Sequence, residues 1–258
     1  MSKLLYLTYI GHATVLIQMD GVRLLTDPLL RQKASILRRL HSPIDQASYQ
    51  DIDAVLISHL HLDHLDLPSL HMLDRRVRLI VPYGANRILG KLGFEDVREM
   101  HIGDTETIGT LSVKSTYAEH RRWRYPFGPA ADCMGFVVYG QHRIYFSGDT
   151  DIFPGMAELE EDLDIALLSI WGWGPTLPNG HMSPKRAAQA LTLIRPRISI
   201  PIHWGTMLPL GLGWMRPRFF SQPPLDFAHY AAQLAPEVEV QIISPGSSFT
   251  YGEEFHHV

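Results

Sequence analysis

Apolar and polar positions alternate over short distances at the start of the chain. Leu4 to Tyr9, Thr14 to Gln18 and Val22 to Thr26 are apolar-rich runs of strand length, and Met19-Asp20-Gly21 has the composition of a tight turn. They predict a meander of strands before any helix. Asp51 to Ser58 (DIDAVLIS) predicts a further strand, followed by a polar turn and a short helix over Leu67 to Asp74. Helical spacing then covers Gly84 to Lys91, Phe153 to Glu160, Pro184 to Ile194 and Leu225 to Leu234. Strand-like runs separate these helices at Leu111 to Tyr117, Gly135 to Tyr139, Arg143 to Ser147, Asp164 to Ser169, Arg197 to Pro201 and Val238 to Ile243. Strand pairs early and late, with helices interspersed, predict an α+β fold of two packed sheets covered by helices, not a βαβ ladder.

No internal repeat, low-complexity tract or flexible linker divides the chain, so residues 1–258 are expected to form a single domain. A composition of 45% hydrophobic and 19% charged residues is that of a globular protein with a sizeable core. The net charge of −4 argues against nucleic acid as a partner, and two bound divalent cations would offset it. GxGxxG and Walker A patterns are absent, which sets nucleotide folds aside. The lone Cys133 cannot form an intrachain disulfide. No run is long enough to span a membrane, and Met1 to Gln18 lacks the continuous apolar block of a signal peptide, so a cytoplasmic location is expected.

The 14 histidines are numerous for this length, and their placement matters more than their number. Ser58-His59-Leu60-His61-Leu62-Asp63-His64 puts three imidazoles and a carboxylate within six positions at the end of a predicted strand. That is a donor set for a borderline divalent metal. In extended backbone His59 and His61 point to one side, while Asp63 and His64, on the turn beyond, can address a neighbouring site.

HLHLDH resembles the HxHxDH signature of metallo-β-lactamase superfamily hydrolases, and the likeness extends beyond it. Gly11-His12-Ala13-Thr14, Thr26-Asp27-Pro28, Ser147-Gly148-Asp149-Thr150, His181-Met182-Ser183-Pro184 and Pro201-Ile202-His203-Trp204-Gly205-Thr206 look like the successive blocks of one branch. That branch includes ascorbate-phosphate lactonases and N-acyl-phosphatidylethanolamine phospholipase D. The resemblance implies a four-layer αβ/βα sandwich with metals at one edge of the two sheets. It assigns His59, His61 and His120 to a first metal, Asp63, His64 and His203 to a second, and Asp149 to both. Zinc is the leading candidate, with manganese or iron as alternatives.

Two such metals would share a hydroxide formed from water of lowered pKa, with Asp63 orienting it or taking its proton. The resemblance also turns His181 towards the site, beside the developing oxyanion or the leaving group; its alternative role is to cap the helix near Pro184. His12 and Asp27 are expected to orient ligands. Arg121, Arg122 and Arg124, among the aromatics Trp123, Tyr125 and Phe127, suit an anionic substrate with apolar parts, or else a solvated loop. Met207 to Pro224, rich in Leu, Phe, Gly and Pro with no acid, suits a lid, a membrane-leaning lip or a subunit contact, which leaves room for peripheral membrane binding.

The expected function is metal-dependent hydrolysis, foremost of a phosphodiester in a small molecule or lipid. The alternatives are a lactonase, or a metal-binding or redox module that does not hydrolyse.

Overall fold

The computed structural model describes residues 4–41, 43–124, 128–172, 177–211 and 218–252. Two seven-stranded sheets organise the chain. The first runs in the order Ser247–Tyr251, Leu5–Gly11, Thr14–Met19, Val22–Thr26, Ala54–Leu56, Arg78–Pro82, Val97–Met100. The second runs Glu239–Val240, Ile198–Ile202, Ile165–Ser169, Arg143–Phe146, Met134–Tyr139, Leu111–Tyr117, Thr105–Ile108. Each sheet begins as an antiparallel meander and continues with parallel strands. The predicted α+β sandwich is what the strands build.

Period-two burial separates the layers. Leu24, Ala54, Leu56 and Ile80 join the core shared with the second sheet. Their neighbours Leu25, Val55, Leu79 and Val81 face the other way, onto the short helices α1 (Leu67–Leu70) and α2 (Asn86–Leu89). Ala187, Ala188 and Leu191 of α3 (Pro184–Ile194) and Phe227 and Ala231 of α4 (Arg218–Leu234) pack onto the large core as well. Ser183 caps α3 by accepting from Arg186 N, with Pro184 at the first helical position.

The strands Arg78–Pro82, Val97–Met100, Thr105–Ile108 and Ser247–Tyr251 were not among those predicted, and other expectations change as well. Phe153 to Glu160 holds only a 3-10 turn at Met156–Glu158 after the left-handed Gly155. Helix α4 begins seven residues before Leu225 and runs through Pro223 and Pro224. Each of these prolines lacks the N–H that would bond four residues back, which is why a helix running through them has no signature in the sequence. A small third sheet of Lys33–Ala34, Leu37–Arg39 and Met207–Pro209, too short to show periodicity, was not expected. Tyr125, Pro126, Phe127 and residues 212–217 lie outside the described residues. Among the described residues no helix is long and apolar enough to cross a membrane.

Candidate metal centre

Seven of the proposed site residues follow the C-terminal ends of strands. His12 follows Leu5–Gly11, Asp27 follows Val22–Thr26, His59 follows Ala54–Leu56, His120 follows Leu111–Tyr117, Asp149 follows Arg143–Phe146 and His203 follows Ile198–Ile202, with His61 a little further on from His59. Loops leaving both sheets therefore converge at one edge. Three of these residues, His12 (φ 60), Asp27 (φ 32) and His203 (φ 64), adopt left-handed backbone although none is glycine. Such strain gathers where a site over-determines its geometry. Gly148 (φ 56) lets Asp149 approach, since a Cβ there would lie 2.7 Å from Ser58 Cβ and 2.8 Å from the Met134 carbonyl oxygen.

The imidazoles form two groups. His61 Nδ1 lies 3.0 Å from both His59 Nε2 and His120 Nε2. His64 Nε2 lies 3.2 Å from His203 Nε2, with Asp63 Oδ2 at 3.8 Å from His64 and 4.0 Å from His203. Asp149 meets the second group, its Oδ2 3.2 Å from His64 Nε2 and its Oδ1 3.4 Å from His203 Nε2, and it reaches the first through His120, with ligand atoms of the two residues within 4.8 Å of each other. Zinc–nitrogen bonds of about 2.0–2.1 Å in a tetrahedron set ligand nitrogens about 3.3 Å apart, so these spacings fit a cation.

The outer nitrogens are all engaged. His59 Nδ1 donates to Ser58 Oγ (2.9 Å), His61 Nε2 to the Trp123 carbonyl (3.1 Å) and His64 Nδ1 to Asp27 Oδ2 (2.7 Å). His120 Nδ1 donates to the Gly180 carbonyl (2.6 Å) and His203 Nδ1 to the Trp171 carbonyl (3.0 Å). Every ring thus turns its other nitrogen inward, the arrangement that fixes a metal-binding tautomer. Ser58 was in the motif but had no expected role. It donates from Oγ to Asp27 Oδ2 at 2.5 Å and from its backbone N to Asp27 Oδ1 at 2.7 Å.

Charge follows from burial and neighbours. Burial pushes the pKa of His61 below the histidine range, takes His120 down to about 4, and holds His59 and His203 far below the range. Burial opposes charge on His64 too, yet Asp149, Asp63 and Asp27 outweigh it and raise His64 well above that range. Burial alone would raise Asp63 and Asp149, but the surrounding imidazoles keep both well below the carboxylate range. At Asp27 burial wins and raises the pKa. The centre therefore offers ionised carboxylates and mostly neutral rings, and a cation would displace the proton from His64.

The decisive fit is an orphan. Asp149 Oδ1 is buried and has no hydrogen-bond donor among the described residues, an acceptor left open 3.4 Å from the inward nitrogen of His203. His59, His61 and His120 form one group with ligand atoms close enough to hold a metal, and Asp63, His64 and His203, joined by His12, form another. The residues fit divalent cations.

The remaining expectations divide. His12 Nε2 lies 3.0 Å from Asp63 Oδ2 and so steadies that carboxylate, and Asp27 holds both Ser58 and His64. His181 turns Nε2 to Asp149 Oδ2 at 3.2 Å, while Ser183 does the capping. Arg124 is corrected: it is buried, and its guanidinium donates to the carbonyls of Leu60 and, at 3.1 Å, Leu65. Its guanidinium is thus turned inward to backbone carbonyls and away from the solvent-facing loop. Arg122 pairs with Asp132, and Arg121 is exposed with no ion-pair partner among the described residues.

Residues 22–204 match the model of the beta-lactamase superfamily domain. The chain is 31% identical over 250 residues to a metal-dependent hydrolase of Methanopyrus kandleri, covering 94% of this chain and 98% of that one. It is 30% identical over 243 residues to an N-acyl-phosphatidylethanolamine-hydrolyzing phospholipase D of Caenorhabditis elegans, covering 80% and 65%. Mycobacterial relatives at 30% identity are longer, and the chain spans 62% of their length. A solved metallo hydrolase from Ignicoccus hospitalis has the same fold, with a TM-score of 0.72 at 23% identity over 97% of this chain and all of that one.

Proposed function

The chain belongs to the metallo-β-lactamase superfamily of metal-dependent hydrolases, and from that premise we propose that it hydrolyses a phosphodiester in a partly apolar small molecule or lipid. The observation that carries the reading is the open acceptor of Asp149, a buried carboxylate close to inward-facing imidazoles of both groups, His203 in one and His120 in the other. Two divalent cations, zinc foremost, are the proposed occupants: one on His59, His61 and His120, one on Asp63, His64 and His203, with Asp149 common to both. Bound there, they would supply Lewis acidity and a water that ionises near neutral pH.

The chain's own groups do the rest. Asp63 and His181 keep side-chain exposures of 16% and 15%, against 0–2% for His64, His203 and Asp149, so solvent reaches these two. Asp63, ionised and steadied by His12, accepts the proton of the attacking water. His181 lies against Asp149, and burial that would discharge it is outweighed by that contact, so its pKa is raised. It is placed to hand a proton to the leaving oxygen or to hydrogen-bond the developing oxyanion. Arg121, beside His120, is the remaining free guanidinium for an anionic group. The likeness to a phospholipase D that cleaves a phosphodiester supports the choice of bond.

The test is a parallel assay of the metal-replete protein on phosphodiesters, phosphomonoesters and lactones. Diester turnover that a chelator abolishes and zinc restores is expected. Lactone turnover exceeding it would make the enzyme a lactonase, and no turnover on any of them would favour a binding or redox role.

A further inference from the structure

A hairpin outside the two large sheets has features that neither the core nor the metal centre uses. Lys33–Ala34 and Leu37–Arg39 pair with Ala34 opposite Leu37, so only Ser35 and Ile36 make the reversal. Two-residue turns favour Gly, Asn or Asp because they need positive φ. Here Ser35 takes φ 52, and Ile36 stands at the tip, 57% exposed. Leu210 N donates to the Ile36 carbonyl at 2.7 Å, which sets Leu210, 54% exposed, beside it. Leu40 is also exposed.

The opposite face is firmly anchored. Leu29, Ala34, Leu37 and Met207 form a small core of their own. Buried Arg39 donates to the carbonyls of Ile10, at 3.1 Å, and Leu29. Leu40 N donates to the Thr206 carbonyl at 2.9 Å, and His41 Nε2 to the Gly205 carbonyl at 2.9 Å. The base of the hairpin thus rests on the two turns that carry His12 and His203.

Charge on this element runs against the rest of the chain. Pro28 to His41 contains Arg31, Lys33, Arg38 and Arg39 and no acid, in a chain of net charge −4, and Met207 to Pro224 contains no acid either. Arg31 and Arg39 are held inward, on Asp66 and on backbone carbonyls. Lys33 and Arg38 are exposed, have no ion-pair partner among the described residues, and face each other directly across the hairpin. Like charges opposed in this way destabilise a hairpin. An anionic surface relieves that repulsion, whereas a second copy meeting the same patch would double it.

We propose that this hairpin docks on an anionic lipid bilayer, with Ile36, Leu210 and Leu40 entering the apolar boundary and Lys33 and Arg38 meeting the headgroups. An apolar tip between cations is the combination that binds such an interface. The docking does not depend on which bond the metal centre cleaves.

The experiment is sedimentation of the full chain, metal-replete, with vesicles of phosphatidylcholine alone and of phosphatidylcholine with phosphatidylserine. Binding to the anionic vesicles, weak binding to the neutral ones and release by salt are expected. Ile36→Asp should weaken binding about tenfold or more, and Lys33→Ala and Arg38→Ala about fivefold each. Because all three side chains are exposed, melting temperature, metal content and turnover of a water-soluble substrate should not fall. Absence of binding to anionic vesicles overturns the proposal, as does binding that Ile36→Asp leaves intact. A dimer in solution that Ile36→Asp separates would also overturn it, by giving the patch to a second copy.

Discussion

Arg124 offers the sharpest test, because two readings of one residue predict opposite results. Its guanidinium crosses from the loop after His120 to the carbonyls of Leu60 and Leu65, and between those two carbonyls lie His61, Asp63 and His64. Replacement by methionine keeps the apolar stem but leaves both carbonyls without their donor. A hydrogen bond to a charged group is worth about 1.5–3 kcal/mol, so the gross loss is about 3–6 kcal/mol. Burial already disfavours the charge here, lowering the pKa of Arg124, so removing it returns part of that cost. A net loss of about 2–4 kcal/mol follows, or roughly 4–16 °C in melting temperature for a chain of this size. Loosening a segment that aims metal-binding groups should also weaken metal affinity by about 10–100-fold. Arg124→Lys, which cannot span both carbonyls in the same geometry, should fall between. Melts and metal titrations of the three proteins measure both effects. An unchanged melt and unchanged metal affinity, with only a raised KM for an anionic substrate, would return Arg124 to substrate binding and refute this reasoning.

Asp63→Ala should lower turnover far more than it lowers the melting temperature, and a folded variant with full activity removes Asp63 from the proton path. Arg121→Ala should raise KM for a phosphodiester about tenfold while metal content and lactone KM hold, as loss of one charge-assisted bond implies; equal effects on both substrates would leave it a solvated residue. At Asp96 slight burial opposes ionisation, but Arg78 and Arg98, each at 2.7 Å, hold the carboxyl below its usual range. A folded pKa below the unfolded one stabilises above about pH 4, and that contribution disappears as pH falls through the folded value. Asp96→Asn should therefore cost up to about 1 kcal/mol at neutral pH and nearly nothing in strong acid; a melting difference that stays constant with pH contradicts this.

Legibility followed sequence distance. His59, His61, Asp63 and His64 could be read together because one turn carries them all. His120, Asp149 and His203 could be read only through the order of their surrounding blocks, since strand pairing over long separations brings them to the edge. The partners that turn the rings inward were invisible where they are backbone carbonyls, those of Trp123, Trp171 and Gly180, because a carbonyl has no side-chain signature. Ser58 could have been found: a hydroxyl between a buried strand and a proposed ligand histidine is well placed to bridge to a carboxylate. Arg124 was misread because composition marks a basic segment but not which guanidinium finds unpaired carbonyls. The hairpin at Ser35 and Ile36 escaped notice because strands of two and three residues carry no period.

The central claim is that Asp149 joins two donor groups into one centre, and counting metals tests it most directly. Elemental analysis of protein purified with excess zinc and then desalted gives metal per chain for the wild type and for Asp149→Ala. The account predicts two per chain in the wild type and one or fewer in the variant, with the fold intact by melting. A firm limit of one per chain, unchanged in Asp149→Ala, would contradict it.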